Sequence, residues 1–122
     1  MSDSGPNLKF NCWILGDEND NIFQVVISRD ESVPALKDAI KAKKHNLLKD
    51  IDADSLILYK VSIVHSPELA EHVTALELNE LKLRPLDELS EVFADGLLRK
   101  HVHVVVEIPS GARVYIVLSS LR

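Results

Sequence analysis

The sequence predicts an α+β fold, a mixed sheet packed on one main helix, and three features carry that expectation. Two apolar runs of period two lie close together near the start, separated by a short polar run, which is the mark of an antiparallel hairpin. One segment of helical spacing, Val33 to Lys44, follows them. A valine-rich run, His101 to Ile108, comes late in the chain with the density of a buried strand. At 122 residues the chain fits one domain, and 46% hydrophobic residues with only 4 Gly and 5 Pro exclude a disordered or low-complexity polymer.

In order, residues 1–7 form a polar leader, and Leu8, Phe10, Cys12 and Ile14 then alternate with Lys9, Asn11, Trp13 and Leu15 as a strand with one face toward a core. The run Gly16 to Asn21 supplies turn formers, and Ile22 to Ser28 reads as the returning strand. Ser32 is placed as a helix N-cap, with Pro34 in a first turn that tolerates its missing N–H and with Val33, Leu36 and Ile40 on the buried stripe. The rest of that helix includes Lys37, Lys41, Lys43 and Lys44, a basic face on an acidic chain. Asn46 to Asp54 reads as a connector, and Ser55 to Ile63 as a third strand.

Between Ser66 and Asp95 helical and extended spacings mix, so the expectation is a short helix around Leu69 to Leu76, an irregular stretch, and one or two helical turns from Leu86 to Phe93. His101 to Ile108 is a strand that Pro109 ends, with Val102, Val104, Val106 and Ile108 expected on one face. Arg113 to Leu118 reads as an extra C-terminal strand. A hairpin, a crossing helix and a late central strand parallel to the first make the arrangement of a β-grasp, or ubiquitin-like, domain over residues 8–109, with 110–122 as an extension.

Composition also narrows function. A net charge of −5 argues against nucleic-acid binding, which needs a clustered basic surface. No apolar run approaches the roughly 20 residues of a membrane-spanning helix, and the start has neither a basic nor an apolar signal segment. The single Cys forms no internal disulfide and fits a reducing compartment. Without a targeting segment the default location is cytoplasmic or nuclear.

Three stretches resemble the N-terminal ubiquitin-like header domain of Crinkler-type effector proteins of oomycetes and fungi: Leu8 to Gly16, Leu56 to Ser62, and His101 to Pro109. In the second, Leu56 and Leu58 match the oomycete pattern Leu-x-Leu-Phe-Leu-Ala-Lys and Tyr59 keeps its aromatic, whereas Lys60, Val61 and Ser62 depart from it in the manner of fungal members. In the third, His101, Val102 and Val104 fit the His-Val-Leu-Val ending, with His103 in place of Leu, and Pro109 closes the stretch. The resemblance implies a modular header for a secreted effector delivered to host cells, host nuclei included, with a role in targeting, translocation or recruitment of host proteins. The alternating leucines have a second reading, as core residues of a half-buried strand.

Catalytic and metal patterns are weak. Asp50, Asp52 and Asp54 imitate a calcium loop, but Ser55 and Val61 stand where Gly and a bidentate Glu are required. His101 and His103, with His65 or His72, lack the thiolates or paired spacing of a structural zinc site. Cys12 alternates with core residues and is read as a small hydrophobe. Gly5, Gly16, Gly96 and Gly111 are too scattered for a phosphate loop, and the acidic residues between Glu68 and Glu91 read as a solvated face. The expectation is a non-enzyme without cofactor or metal. A conjugated modifier is disfavoured because the end, Ser119 to Arg122, lacks a Gly-Gly tail.

The remaining candidate is a protein-binding surface. With Phe10, Cys12, Leu56, Leu58, Val102, Val104 and Val106 toward the helix, the opposite sheet face carries Trp13, Ile57, Tyr59, His103 and Val105, and aromatic residues there suit a protein partner. The competing expectation is that the tail or the region around Leu76 to Leu86 covers them. The alternative function is a stand-alone intracellular ubiquitin-like adaptor that binds a protein through that face or homodimerises through its edge.

Overall fold

The computed structural model describes residues 7–94 and 96–108. Pro109 and the expected strand at Arg113 to Leu118 lie outside them. The structure is α+β, with β-strands at β1 Asn7–Ile14, β2 Phe23–Ser28, β3 Ile57–Val64 and β4 His101–Glu107. The helices are α1 Val33–Lys43 and the short α2 His45–Leu48, α3 Leu69–Thr74 and α4 Leu89–Val92, with 3-10 turns at Ala53–Ser55 and Leu78–Leu81. No described helix is long and apolar enough to cross a membrane.

One mixed sheet runs in the order β2-β1-β4-β3. The hairpin β1–β2 is antiparallel, β1 and β4 are parallel, and β3 is antiparallel to β4, so the late valine-rich strand is central as its composition requires. This is a β-grasp-like arrangement, with α1 crossing one face of the sheet. Gly16, at φ +94°, makes the turn after β1, where Asp17 N–H donates to the Ile14 carbonyl.

The strand period sorts side chains into two cores. Leu8, Phe10, Cys12 and Ile14 of β1 meet Val33, Leu36 and Ile40 of α1, Leu58 of β3, and Val104 and Val106 of β4. Phe10 and Phe93 pack edge to face there, with ring centroids 4.8 Å apart. A separate cluster on the other face contains Trp13, Tyr59, Val61, Leu69, Val73, Val102 and Val105.

Several expectations are corrected in detail. Ser32 occupies the N-cap position of α1 but its hydroxyl makes no capping bond. The start of that helix is instead held by a neighbouring segment: Val33 N–H donates to the Asp87 carbonyl, and Leu89 N–H to that of Glu31. The connector holds the helical turn α2, whose Leu48 is buried. Val102 lies on the face opposite Val104. The register slips between Lys60 and Ile63, so three steps on β3 match two on β4, and Val102 opposite Ile63 and Val104 opposite Lys60 fall in different clusters.

Candidate interaction site

The sheet face that carries Trp13, Ile57, Tyr59 and Val105 is covered by the chain itself. Trp13 is 1% exposed and Tyr59 5%, Val105 is fully buried, and Ile57 is half-buried. The cover is α3 with the 3-10 turn after it, which press Leu69, Val73, Leu78 and Leu81 onto this face. Its attachment is local to the first hairpin turn. Asn19 spends both ends of its amide on the cover, its Oδ1 accepting from Ala70 N–H at 3.1 Å and its Nδ2 donating to the Pro67 carbonyl at 2.6 Å. His65 packs its ring nitrogen 2.9 Å from the Asn19 carbonyl and 3.4 Å from the Asp20 carboxylate. The same turn takes the Trp13 indole N–H, which donates to the Glu18 carbonyl at 2.9 Å. These residues are therefore not an open surface. The cover begins earlier than the expected Leu76 to Leu86 region, at Leu69, and overlaps that region only at Leu78 and Leu81; a sheet with two apolar faces must hide both.

His103 does not share that face. It points toward Leu8, Leu97 and Leu98, in a depression bordered by Lys9 and Arg99. Its ring is buried and both nitrogens are engaged. Asn11 N–H donates to Nδ1 at 3.0 Å, and Nε2 donates to the Leu98 carbonyl at 2.8 Å. That pairing requires the neutral imidazole with its proton on Nε2. Burial lowers the pKa below 6.5, the Leu98 bond opposes the shift, and nearby His101 adds to it. A base with a depressed folded pKa binds more protons when unfolded, so its contribution to stability is full above 6.5 and declines as pH falls below it. Urea midpoints are expected to drop between pH 7.5 and roughly pH 5.5. The His103→Gln chain, which keeps a donor and an acceptor without titrating, is expected to lose part of that slope; an unchanged slope refutes the assignment.

The other residues of the family-like stretches are structural in placement. Leu56 and Leu58 are buried against α1. Lys60 reaches along the sheet to donate from Nζ to the Val92 carbonyl at 2.7 Å, and stands over the Phe93 ring. The Tyr59 hydroxyl donates to Glu107, and burial, then that carboxylate, pushes its pKa up to about 12. Asn11 Nδ2 donates to the His101 carbonyl, and the His101 ring lies 3.0 Å from the Arg99 carbonyl. Burial raises the Cys12 thiol far above its ordinary value, which removes its nucleophilic form. Among the described residues no three His, Cys, Asp or Glu side chains are grouped to hold a metal.

A surface that the sequence only hinted at lies between β2 and α1. Gln24, Val25, Val26, Ala39, Ala42 and Lys43 line a groove of about 430 Å³. Val26 is 57% exposed beside it, and β2 pairs only with β1 among the described residues. The hint was the run of lysines on α1; the missing half was which strand they would flank.

A four-stranded mixed sheet with both faces packed and α1 across one of them defines a small α+β domain of β-grasp-like class. The chain belongs to the Crinkler effector protein N-terminal domain family, whose match covers residues 8–107. It is 32% identical over 101 residues to Crinkler effector protein 1 of Rhizophagus irregularis, a match spanning 82% of this chain and 21% of that protein. It is 48% identical over 52 residues to Crinkler effector protein 108 of Phytophthora sojae, which covers 43% of this chain and 6% of the relative. The matches thus span only 21% and 6% of the length of these relatives.

Proposed function

We propose that this chain is a non-catalytic header of a Crinkler-type effector, which directs the protein it belongs to by recruiting a protein partner in a host cell. The observation that carries this reading is the scale of the family match: a domain filling 82% of this chain occupies only 21% of a relative's length. A unit with its own two cores, joined to much longer proteins, suits a role as an address or adaptor rather than as the seat of chemistry. The buried Cys12 thiol and the fully bonded His103 support the non-catalytic part, since both are withdrawn from substrate. Delivery into host cells and the nucleus belongs to the same reading, by kinship with effectors.

The test is relocation. Residues 1–122 fused to a fluorescent reporter and expressed in plant cells are expected to shift the reporter from the distribution it shows alone. An unshifted reporter, with the fusion intact and folded, overturns the proposal.

A further inference from the structure

The two edges of the sheet are treated differently. At the β3 edge the chain closes on itself: Leu83 N–H donates to the Leu58 carbonyl at 2.8 Å, and Tyr59 bridges to Lys82. At the other edge, β2 has no partner beyond β1 among the described residues, and alternate residues of its six turn their backbone N–H and C=O outward. An unprotected edge is a template for a further strand, and proteins commonly blunt such edges when they are not used.

The surroundings of this edge specify what would pair with it. The groove floor is small and apolar on the helix side, where Ala39 and Ala42 leave room for an inserted side chain next to Val25 and Val26. The rim is cationic. Lys43 lines the groove and Lys44 stands 5.1 Å from the Phe23 ring at the start of β2. Asp38 is the sole acid from Val33 to Lys44, in a chain where acids outnumber bases 19 to 14. Two lysines without an ion-pair partner among the described residues, beside a strand edge that no described residue covers and against the sign of the whole chain, favour an acidic occupant.

We propose that the β2 edge and the β2–α1 groove bind an extended acidic segment of a partner protein, which adds a strand to β2, places an apolar side chain between Val25 and Ala39, and sets its carboxylates against Lys43 and Lys44. Backbone pairing supplies the generic affinity, the groove selects the apolar residue, and the lysines select the charge. The inference rests on the recruitment reading above and names its surface.

The experiment is a titration of the whole isotope-labelled chain with the peptide acetyl-Asp-Asp-Val-Ile-Val-Ile-Asp-Glu-amide, followed by amide NMR. Shifts are expected at Gln24, Val26, Ala39, Ala42 and Lys43, weakening as salt is raised. The variant K43E/K44E, whose side chains lie outside both cores, is expected to bind roughly tenfold more weakly, and a peptide with lysines in place of the acids is expected to be inert on the native chain. Absence of shifts, shifts centred on Leu98 to His103, or equal response to the lysine peptide overturns the proposal. Relocation of the K43E/K44E reporter separates the two readings. If it still relocates while the peptide fails to bind, recruitment stands and this surface is wrong.

Discussion

Trp13→Ala is expected to destabilise the domain by about 3–5 kcal/mol, a loss that lowers the thermal midpoint by roughly 15 °C or more. Trp13 is 1% exposed, and its indole lies in the second cluster among Tyr59, Leu69, Val73 and Val105. Truncation removes the largest side chain of that cluster and leaves the Glu18 carbonyl without its donor. The cover cannot collapse fully into the space, because Asn19 ties it to the hairpin turn at two points. Trp13→Phe keeps most of the apolar contact and loses the hydrogen bond, so its cost is about 1 kcal/mol. Urea denaturation followed by circular dichroism measures both. A Trp13→Ala chain within about 1 kcal/mol of native stability would show that the indole is not a core residue and would return it to the role of surface anchor.

That expected result follows the covered reading of Trp13 rather than the partner-binding one, and what decides between them lies outside the strand. Period two in β1 correctly separates Phe10 and Cys12 from Trp13, since alternation is a local property of the strand. Whether the second face meets water or protein is not local. It depends on Leu69, Val73, Leu78 and Leu81, which lie on a six-residue helix and a single 3-10 turn. Pieces so short have little intrinsic stability and no clear period, so the sequence there reads as irregular. Their position is fixed by Asn19, nearly fifty residues earlier in the chain, whose side chain looked like an ordinary turn former. Val102 was misplaced for a related reason: a register slip between two strands leaves no trace in either strand alone. The hairpin, α1 and the central β4 were legible because each is long enough to carry its own pattern, and the right-handed crossover leaves few ways to join them. The β2–α1 groove was half legible. Lysines on α1 are visible in the sequence, but that β2 pairs only with β1 among the described residues follows only from the strand order.

Leu58→Ala is expected to cost about 2–5 kcal/mol, the second large effect, and it bears on how the Leu56 to Ser62 stretch is understood. Leu58 is buried against α1, sits opposite Val106 on the central strand, and its carbonyl accepts the Leu83 N–H that closes the β3 edge. Losing its side chain opens a cavity in the main core and loosens the contact that protects that edge. Lys60→Ala, two residues on, removes one hydrogen bond to the Val92 carbonyl and a cation over Phe93, with an expected cost of about 1 kcal/mol. The two variants separate recognition from folding within one short motif. If the stretch acts through the fold, relocation of the reporter is expected to fail for Leu58→Ala in proportion to the unfolded fraction, to recover on cooling toward the temperature of maximum stability, and to persist for Lys60→Ala. Denaturation curves run beside the relocation assay decide the matter. Relocation lost in a Leu58→Ala chain that remains fully folded would mean that a partner contacts this strand directly, and the leucine would then have to leave the core to meet it.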